Sequence, residues 1–288
     1  MAINLAEKYS PKVVDKFYKE SVILGKTSKK YDWDGVKSIK VWTINTVEPT
    51  DYARSRKLSD STKDYQIASR YGETYEVEDT IQTMTITQDK SVSLSVDKGN
   101  NTQQMLIKNA GKVMNLELRE QFIPMFDKYC LAQWAANAGT YTVQASVTKS
   151  NVVEEISKHV TELMNAYATL DDAYCYIGAT DYAKLVLSPE FLHLYGLGNK
   201  ALDLGVVGKV RDLKIVPIPD SYLPEGVNFM TVKSSCVLAP TQIKDMKIHQ
   251  DPPGLSGALL EVRWLYDAFV LSTKNKGVIV CATSQPSA

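Results

Sequence analysis

The sequence predicts an α+β fold in which one very long strand and one very long helix form a layer, with a smaller mixed α/β unit inserted between two stretches of that layer. Three observations predict it. From Asp79 to Asp97, Met84, Ile86, Val92, Leu94 and Val96 alternate with threonines and serines, the period of a pleated strand. From Asn101 to Asn137, Leu106, Ala110, Val113, Leu118, Phe122, Met125 and Tyr129 recur at helical intervals and make one apolar stripe. Between Thr140 and about Pro240 short strands and helices follow one another, and the tail from Ile243 to Ala282 then returns to apolar strands.

The two long elements are the first constraint. At about 3.3 Å per residue the strand would reach roughly 60 Å, and at about 1.5 Å per residue the helix roughly 55 Å. Both far exceed the usual strand of five or six residues and helix of eleven or twelve. Elements of that reach gain little in a monomer and more in a subunit that overlaps its neighbours.

Taken in order, residues 1 to 30 hold an amphipathic piece, Pro11 to Leu24, with Val13, Val14, Phe17, Tyr18 and Ile23 among lysines, then the polar run Gly25 to Lys30. It reads equally as a packed first helix or as an arm lying on another subunit. Val36 to Val47 is the first clear strand, with Ile39, Val41 and Thr43 on one face and Lys40, Trp42 and Ile44 on the other. Glu48 to Glu78 is poor in apolar residues and dense in charges of both signs, with Tyr52, Tyr65, Tyr71 and Tyr75 interleaved among arginines. A segment this long without its own core is functional or disordered, and tyrosine and arginine are enriched at protein interfaces. The functional reading is the tip of a hairpin that docks on a neighbour, with Trp42, Tyr52, Arg54, Arg56, Arg70 and Tyr71 as the subunit-interface residues. The plainer reading is a solvated loop.

Asn101, with Gln104 three residues on, is placed to cap the long helix, and Pro124 is expected to bend it by removing a donor and clashing one turn back. Tyr141 to Val147 is a short strand or loop. Asn151 with Glu154 predicts a second capping box, opening an amphipathic helix with Val152, Val153, Ile156, Val160, Leu163, Met164 and Tyr167 as its apolar residues and His159 on its solvent side. Strand Tyr174–Gly178 and a helix from Thr180 to Leu187 follow, and Ser188-Pro189-Glu190 is a helix-start signature. Next come strand Leu213–Ile218, the turn-rich Pro219 to Gly226, and strand Val227–Val232. The tail reads as strands Lys244–His249, Ala258–Ser272 and Val278–Ala282, with a Pro252-Pro253-Gly254 turn and the long strand and long helix as their expected partners.

Composition and missing motifs narrow the function. At 288 residues, 44% hydrophobic and 23% charged, the chain can bury a sizeable core. A formal net charge of zero argues against a protein whose task is to grip nucleic acid, though not against a container for it. The four cysteines, Cys130, Cys175, Cys236 and Cys281, are far apart and form no CxxC pair, so they are expected as small buried residues in a reducing compartment. His159, His193 and His249 fall in separate elements without ligand spacing, and neither a G-x-S-x-G elbow nor a P-loop is present. Glu117, Glu120 and Asp127 read as the polar edge of an amphipathic helix rather than as acid and base. No catalytic residue, cofactor site or metal site is assigned. Met1 to Ser10 lacks the apolar run of a signal peptide, and no stretch approaches the roughly 18 apolar residues of a membrane span. A soluble, cytoplasmic protein with no membrane partner is expected.

The order of these parts resembles the major capsid protein of tailed bacteriophages, the Hong Kong 97-type capsid fold. The stretches that carry the resemblance are VKSIKVWTINTVEPTDYARS with Arg70-Tyr71-Gly72, DTIQTMTITQDKSVSLSVDK, the helix Asn101 to Asn137 with Pro124 and Asp127, and GALLEVRWLYDAFVLSTKNKGVIV. The resemblance implies an N-terminal arm at 1–30, an extended hairpin loop at 31–78, a peripheral domain with the spine helix packed on a β-sheet at 79–139 and 241–288, and an inserted mixed α/β axial domain at 140–240. It implies a structural protein, not an enzyme, that self-assembles as hexamers and pentamers into an icosahedral shell in the host bacterial cytoplasm, is found in the virion, and encloses double-stranded DNA without reading its sequence. With no long charged helical segment preceding residue 1, a fused scaffolding domain is not expected, and assembly would use a separate scaffolding protein or none; portal and decoration proteins are the other partners that the resemblance implies. An encapsulin-type nanocompartment shell, which has the same fold, and a homo-oligomeric α+β enzyme with an interface hairpin are the alternatives.

Overall fold

In the long helix the backbone changes pitch just ahead of its proline. A computed structural model describes residues 21–31, 33, 37–52, 71, 75–99, 110–188 and 208–284, so the expected cap at Asn101 and the Ser188-Pro189-Glu190 helix start lie largely or wholly outside the described residues. From Ala110 the helix is continuous: α1 (Ala110–Glu117), a π turn (Leu118–Phe122) and α2 (Ile123–Ala136). Within the π turn the Ile123 N–H donates to the Leu118 carbonyl, five residues back. Pro124 has no N–H to offer Glu120 and its ring needs room one turn back, and the wider turn supplies that room. The expected bend is met by a change of pitch.

The chain divides into two compact units, Ser38–Met84 and the rest, Met1–Lys37 with Thr85–Ala288. In the larger unit, β3 (Gln88–Asp97), β10 (Thr241–Gln250) and β11 (Gly257–Tyr266) form an antiparallel sheet in the order β10-β11-β3. Its register sets Leu260 opposite Leu94 and Val262 opposite Val92, so one face is apolar while Ser91, Ser93, Glu261 and Arg263 share the other. The apolar face meets the helix through aromatic rings. Phe122 stacks on Trp264 at 4.7 Å, and Phe126 and Tyr129 set their edges against Tyr266 at 5.8 and 5.4 Å, geometries that add to plain area burial.

A single strand from Asp79 to Asp97 is not what forms. β2 (Asp79–Thr85) and β3 are separate, interrupted at Ile86 and Thr87. The cause is Asp267, buried just past the end of β11. One of its carboxylate oxygens takes both the N–H and the hydroxyl of Thr87, and the other takes the Tyr129 hydroxyl and the Ala268 N–H. The tail strand expected to run to Ser272 accordingly stops at Tyr266, and only Phe269–Val270 resumes, as β12 on β9 (Val237–Leu238).

The second sheet has six strands in the order β4-β13-β8-β5-β7-β6: β4 (Thr140–Val143), β5 (Ala173–Gly178), β6 (Gly208–Val210), β7 (Leu213–Ile218), β8 (Val227–Lys233) and β13 (Val278–Ala282). Strict alternation builds both faces. Tyr176, Val216, Met230, Val232, Val278 and Val280 share a core with α2, whereas Cys175, Ile177, Ile215, Phe229, Ile279 and Cys281 share one with α3 (Val152–Asn165) and, through Leu185, α4 (Ala179–Val186). The sheet is therefore covered by helices on both sides. The tail strand Val278–Ala282 was expected against the long strand and long helix. It does meet the long helix, through Val278 and Val280, but it pairs inside this sheet and not with the long strand, parallel to β4 and antiparallel to β8, because its five buried residues need apolar cover on two faces.

Three expectations at α3 are corrected. Met164 and Tyr167, expected on its apolar face, are exposed, because Met164 turns to the solvent side and Tyr167 stands beyond the last helical turn. His159 lies on the covered side and is fully buried, with its ring nitrogens at 3.0 Å from the Thr142 hydroxyl and 2.8 Å from the Thr231 hydroxyl. Burial holds its pKa down at about 3. Asn151 occupies the N-cap position without a side-chain bond into the helix. Its amide accepts from the Thr148 N–H and donates to the Ser146 carbonyl, so it ties back to the preceding loop and not into the helix.

At its C-terminus α3 ends in a Schellman arrangement, with the Ala168 N–H on the Leu163 carbonyl and the Tyr167 N–H on that of Met164. The left-handed position is taken by Tyr167, at φ +54°, where glycine is usual. A non-glycine residue there costs about 1 kcal/mol.

Asp127, read from sequence as helix edge, is buried. One oxygen accepts from the Ser21 hydroxyl at 2.6 Å and the other from the Val22 N–H at 3.0 Å, which pins the segment after residue 20 to α2 with Val22 and Ile23 inside the core. All four cysteines are buried and free.

Candidate subunit-interface surface

The smaller unit is built on a two-stranded ribbon, β1 (Ser38–Ile44) with β2. The Asn45 N–H donates to the Glu78 carbonyl at 2.9 Å, and extending that antiparallel register places Trp42 across from Ile81 and Ile44 across from Asp79. The Asn45 side chain and the Thr80 hydroxyl add a polar pair. Two strands cannot enclose a core of their own, so one face stays uncovered: Trp42 is 64% exposed, Ile44 67% and Ile81 45%. Val47, Tyr52, Tyr71, Tyr75 and Val77 are exposed as well.

Beyond the ribbon, Tyr52 and Tyr71 meet edge to face at 5.2 Å, and the Thr50 hydroxyl donates to the Tyr71 carbonyl. Both rings line an open cleft of about 390 Å³ with Val47, Pro49 and Tyr75. Tyr71 is nonetheless 80% exposed. Aromatic and aliphatic side chains held rigidly in water are what an interface core is made from.

Of the interface residues predicted from sequence, the structure brings Tyr52 and Tyr71 together and puts Trp42 on the open face of the ribbon. Arg54, Arg56 and Arg70 lie outside the described residues. Sequence reasoning did not single out Ile44, Val77 and Ile81 as surface residues. Their signal was available, since in a two-stranded ribbon the period-two pattern leaves the apolar residues of one face without cover.

Nothing in the described residues gathers acid, base and nucleophile. Glu117 and Glu120 sit at and within the π turn, while Asp127 and His159 are engaged as described above. Among the described residues no group of three or more His, Cys, Asp or Glu side chains converges as a metal site, and no helix is long and apolar enough to cross a membrane.

No protein-family model and no curated protein matches the sequence. Solved structures do match the fold. A structure from Mycobacterium phage Che8 is similar at a TM-score of 0.74 and 18% identity, over 98% of this chain and 99% of that one. The capsid of the cyanophage P-SCSP1u is similar at 0.73 and 14% identity, over 97% and 93%. The mature capsid of bacteriophage PhiM1 is similar at 0.70 and 13% identity, over 98% and 93%. The chain thus has the fold of phage capsid subunits across nearly its full length.

Proposed function

We propose that this chain is the major capsid protein of a tailed bacteriophage, a structural subunit that assembles with copies of itself into a closed icosahedral shell around the genome. A fold can host unrelated functions, so the reading rests on a further observation. The fold of capsid subunits here carries a ribbon with Trp42, Ile44 and Ile81 bare on one face and Tyr52 and Tyr71 fixed beyond it. In an isolated subunit that surface is a liability. In a lattice each ribbon lies on an adjacent subunit and its apolar face is covered.

Each such contact is weak by itself, and exposed ion pairs add less than about 1 kcal/mol apiece. Repetition over a closed symmetric lattice makes the sum large while keeping early steps reversible. The arginines of the same segment, Arg54, Arg56 and Arg70, would add planar, charge-assisted contacts to carboxylates of the neighbour. Hexameric and pentameric groupings, double-stranded DNA as contents and separate scaffolding, portal and decoration proteins as partners belong to the same proposal.

Negative-stain electron microscopy of the expressed protein, with light scattering, tests it. Closed isometric particles are expected. A small discrete oligomer at all concentrations would overturn the shell reading. Particles filled with an enzyme and free of nuclease-protected DNA would replace the virion with a cargo compartment.

A further inference from the structure

The larger unit has a cationic cleft that the shell reading does not use. It lies where α3 ends and β13 begins, encloses about 320 Å³, and is lined by Lys233, Lys274 and Lys276 without a carboxylate among its lining residues. The three ammonium groups come from two places. Lys233 ends β8, and the other two stand on the 3₁₀ turn Ser272–Gly277 that leads into β13. Lys233 is held in place by the carbonyl and hydroxyl of Thr169, at 2.6 and 2.8 Å. Among the described residues neither Lys274 nor Lys276 has an ion-pair partner. At the cleft wall, burial raises the Cys236 thiol pKa and Lys274 and Lys233 oppose that rise. Gly277 lets the turn close over that sulfur, because a Cβ there would come within 2.3 Å of Cys236 Sγ.

A second, independent feature stands at the rim. Tyr167 is 97% exposed and occupies the left-handed backbone position where glycine would be relaxed. An aromatic ring at that position is worth its strain where it meets a ligand.

We infer that this cleft seats the phosphate backbone of nucleic acid, with Lys274, Lys276 and Lys233 on the phosphate oxygens and Tyr167 against an adjoining sugar or base. Ammonium groups and hydroxyls on phosphate position a strand without reading its sequence, and an aromatic ring beside a basic groove can pack on the sugar of a duplex or, in a single strand, on any base. The inference deepens the shell reading, since it gives the wall a sequence-blind contact with its contents.

Fluorescence anisotropy of labelled mixed-sequence DNA, single-stranded and duplex, titrated with the full-length protein at several salt concentrations tests it. Replacing Lys274 and Lys276 by glutamine (K274Q/K276Q) is expected to weaken binding at least about tenfold near ~0.1 M salt and to lower the salt slope by about 0.9 per lysine. The control K90Q/K149Q, with the same loss of charge elsewhere in the larger unit, is expected to leave both unchanged. Tyr167→Gly, which relieves the backbone, is expected to raise or keep the thermal midpoint while weakening single-strand binding. Equal losses in the control, no loss in K274Q/K276Q, or binding of inorganic pyrophosphate without binding of DNA would overturn the inference. So would a K274Q/K276Q protein that binds DNA normally and no longer assembles, which would make the cleft a subunit contact. Particle formation by the unaltered protein is scored separately. Its absence alongside DNA binding that maps to the cleft would sink the shell reading and leave the cleft standing.

Discussion

Thr87 gives both its backbone N–H, at 2.8 Å, and its hydroxyl, at 2.9 Å, to one oxygen of Asp267. The two residues are 180 positions apart in the sequence, and their bond decides where one strand stops and the next begins. The other carboxylate oxygen holds Tyr129 on α2, which together with burial raises the Tyr129 pKa above its ordinary value. Asp267→Ala leaves the Thr87 N–H and the Tyr129 hydroxyl without this acceptor and is expected to cost about 3 kcal/mol of folding stability. Urea unfolding measures it, and a loss under about 0.5 kcal/mol, the level of an ordinary surface change, would contradict the assignment.

The imidazole of His159 makes stability depend on acid. Its folded pKa, about 3, is below the ordinary 6.5, so the unfolded chain binds the proton more readily. The contribution of the neutral ring is fully present above about pH 6.5 and is lost as the pH falls toward 3, at roughly 1.4 kcal/mol per pH unit. His159→Gln is expected to remove that component of the slope. Unfolding midpoints of both proteins between pH 7 and 4 test it, and parallel curves would show that His159 is not responsible.

The carboxylate of Asp127 is a clasp for the segment that begins at Ser21. Ser21→Ala removes one bond and is expected to cost about 1 kcal/mol, whereas Asp127→Ala removes the acceptor for the Val22 N–H as well and is expected to cost about 3. Hydrogen exchange at Val22 and Ile23 should rise in both variants and more in the second. Unchanged exchange in Asp127→Ala would mean that apolar burial alone holds the segment.

The ribbon separates folding from assembly. Trp42→Ser with Tyr71→Ser alters two exposed side chains and is expected to move stability by no more than about 0.5 kcal/mol while abolishing particles. Deletion of Asp51 to Gly72 should act the same way more completely. Particles of ordinary yield and size from either variant would remove the ribbon from the assembly mechanism.

Much of this architecture was legible from periodicity. The helix from Ala110, the existence of β5, β8 and β13 as strands, and the two-faced alternation along β1 all follow from the pattern of neighbouring residues, which is a local property. What escaped depended on partners distant in sequence. No local feature of Thr87 announces that its N–H will leave the ladder for Asp267. His159 looked solvent-facing because its hydroxyl partners, Thr142 and Thr231, come from two other elements. Val278–Ala282 read correctly as a strand and wrongly as to its sheet, since a uniformly apolar run records only that both its faces are covered. At Tyr52 and Tyr71 composition sufficed to mark the surface, and at the lysine cleft it did not, because Lys233 and Lys274 meet only once β8 and β13 are paired.

That pairing has a consequence for synthesis. β13 fills the slot between β4 and β8, and β4 has no other strand beside it in that sheet. Until residues 278–282 have left the ribosome the slot stays open, with apolar edges of early-made strands waiting for a segment translated more than 130 residues after β4. Closure over such a sequence distance is slow, and an open edge invites pairing with the wrong chain. If the proposed shell reading holds, a nascent subunit would have no finished surface to offer a growing lattice, and polypeptides that terminate early would be kept out of the wall by the geometry of their own unfinished sheet.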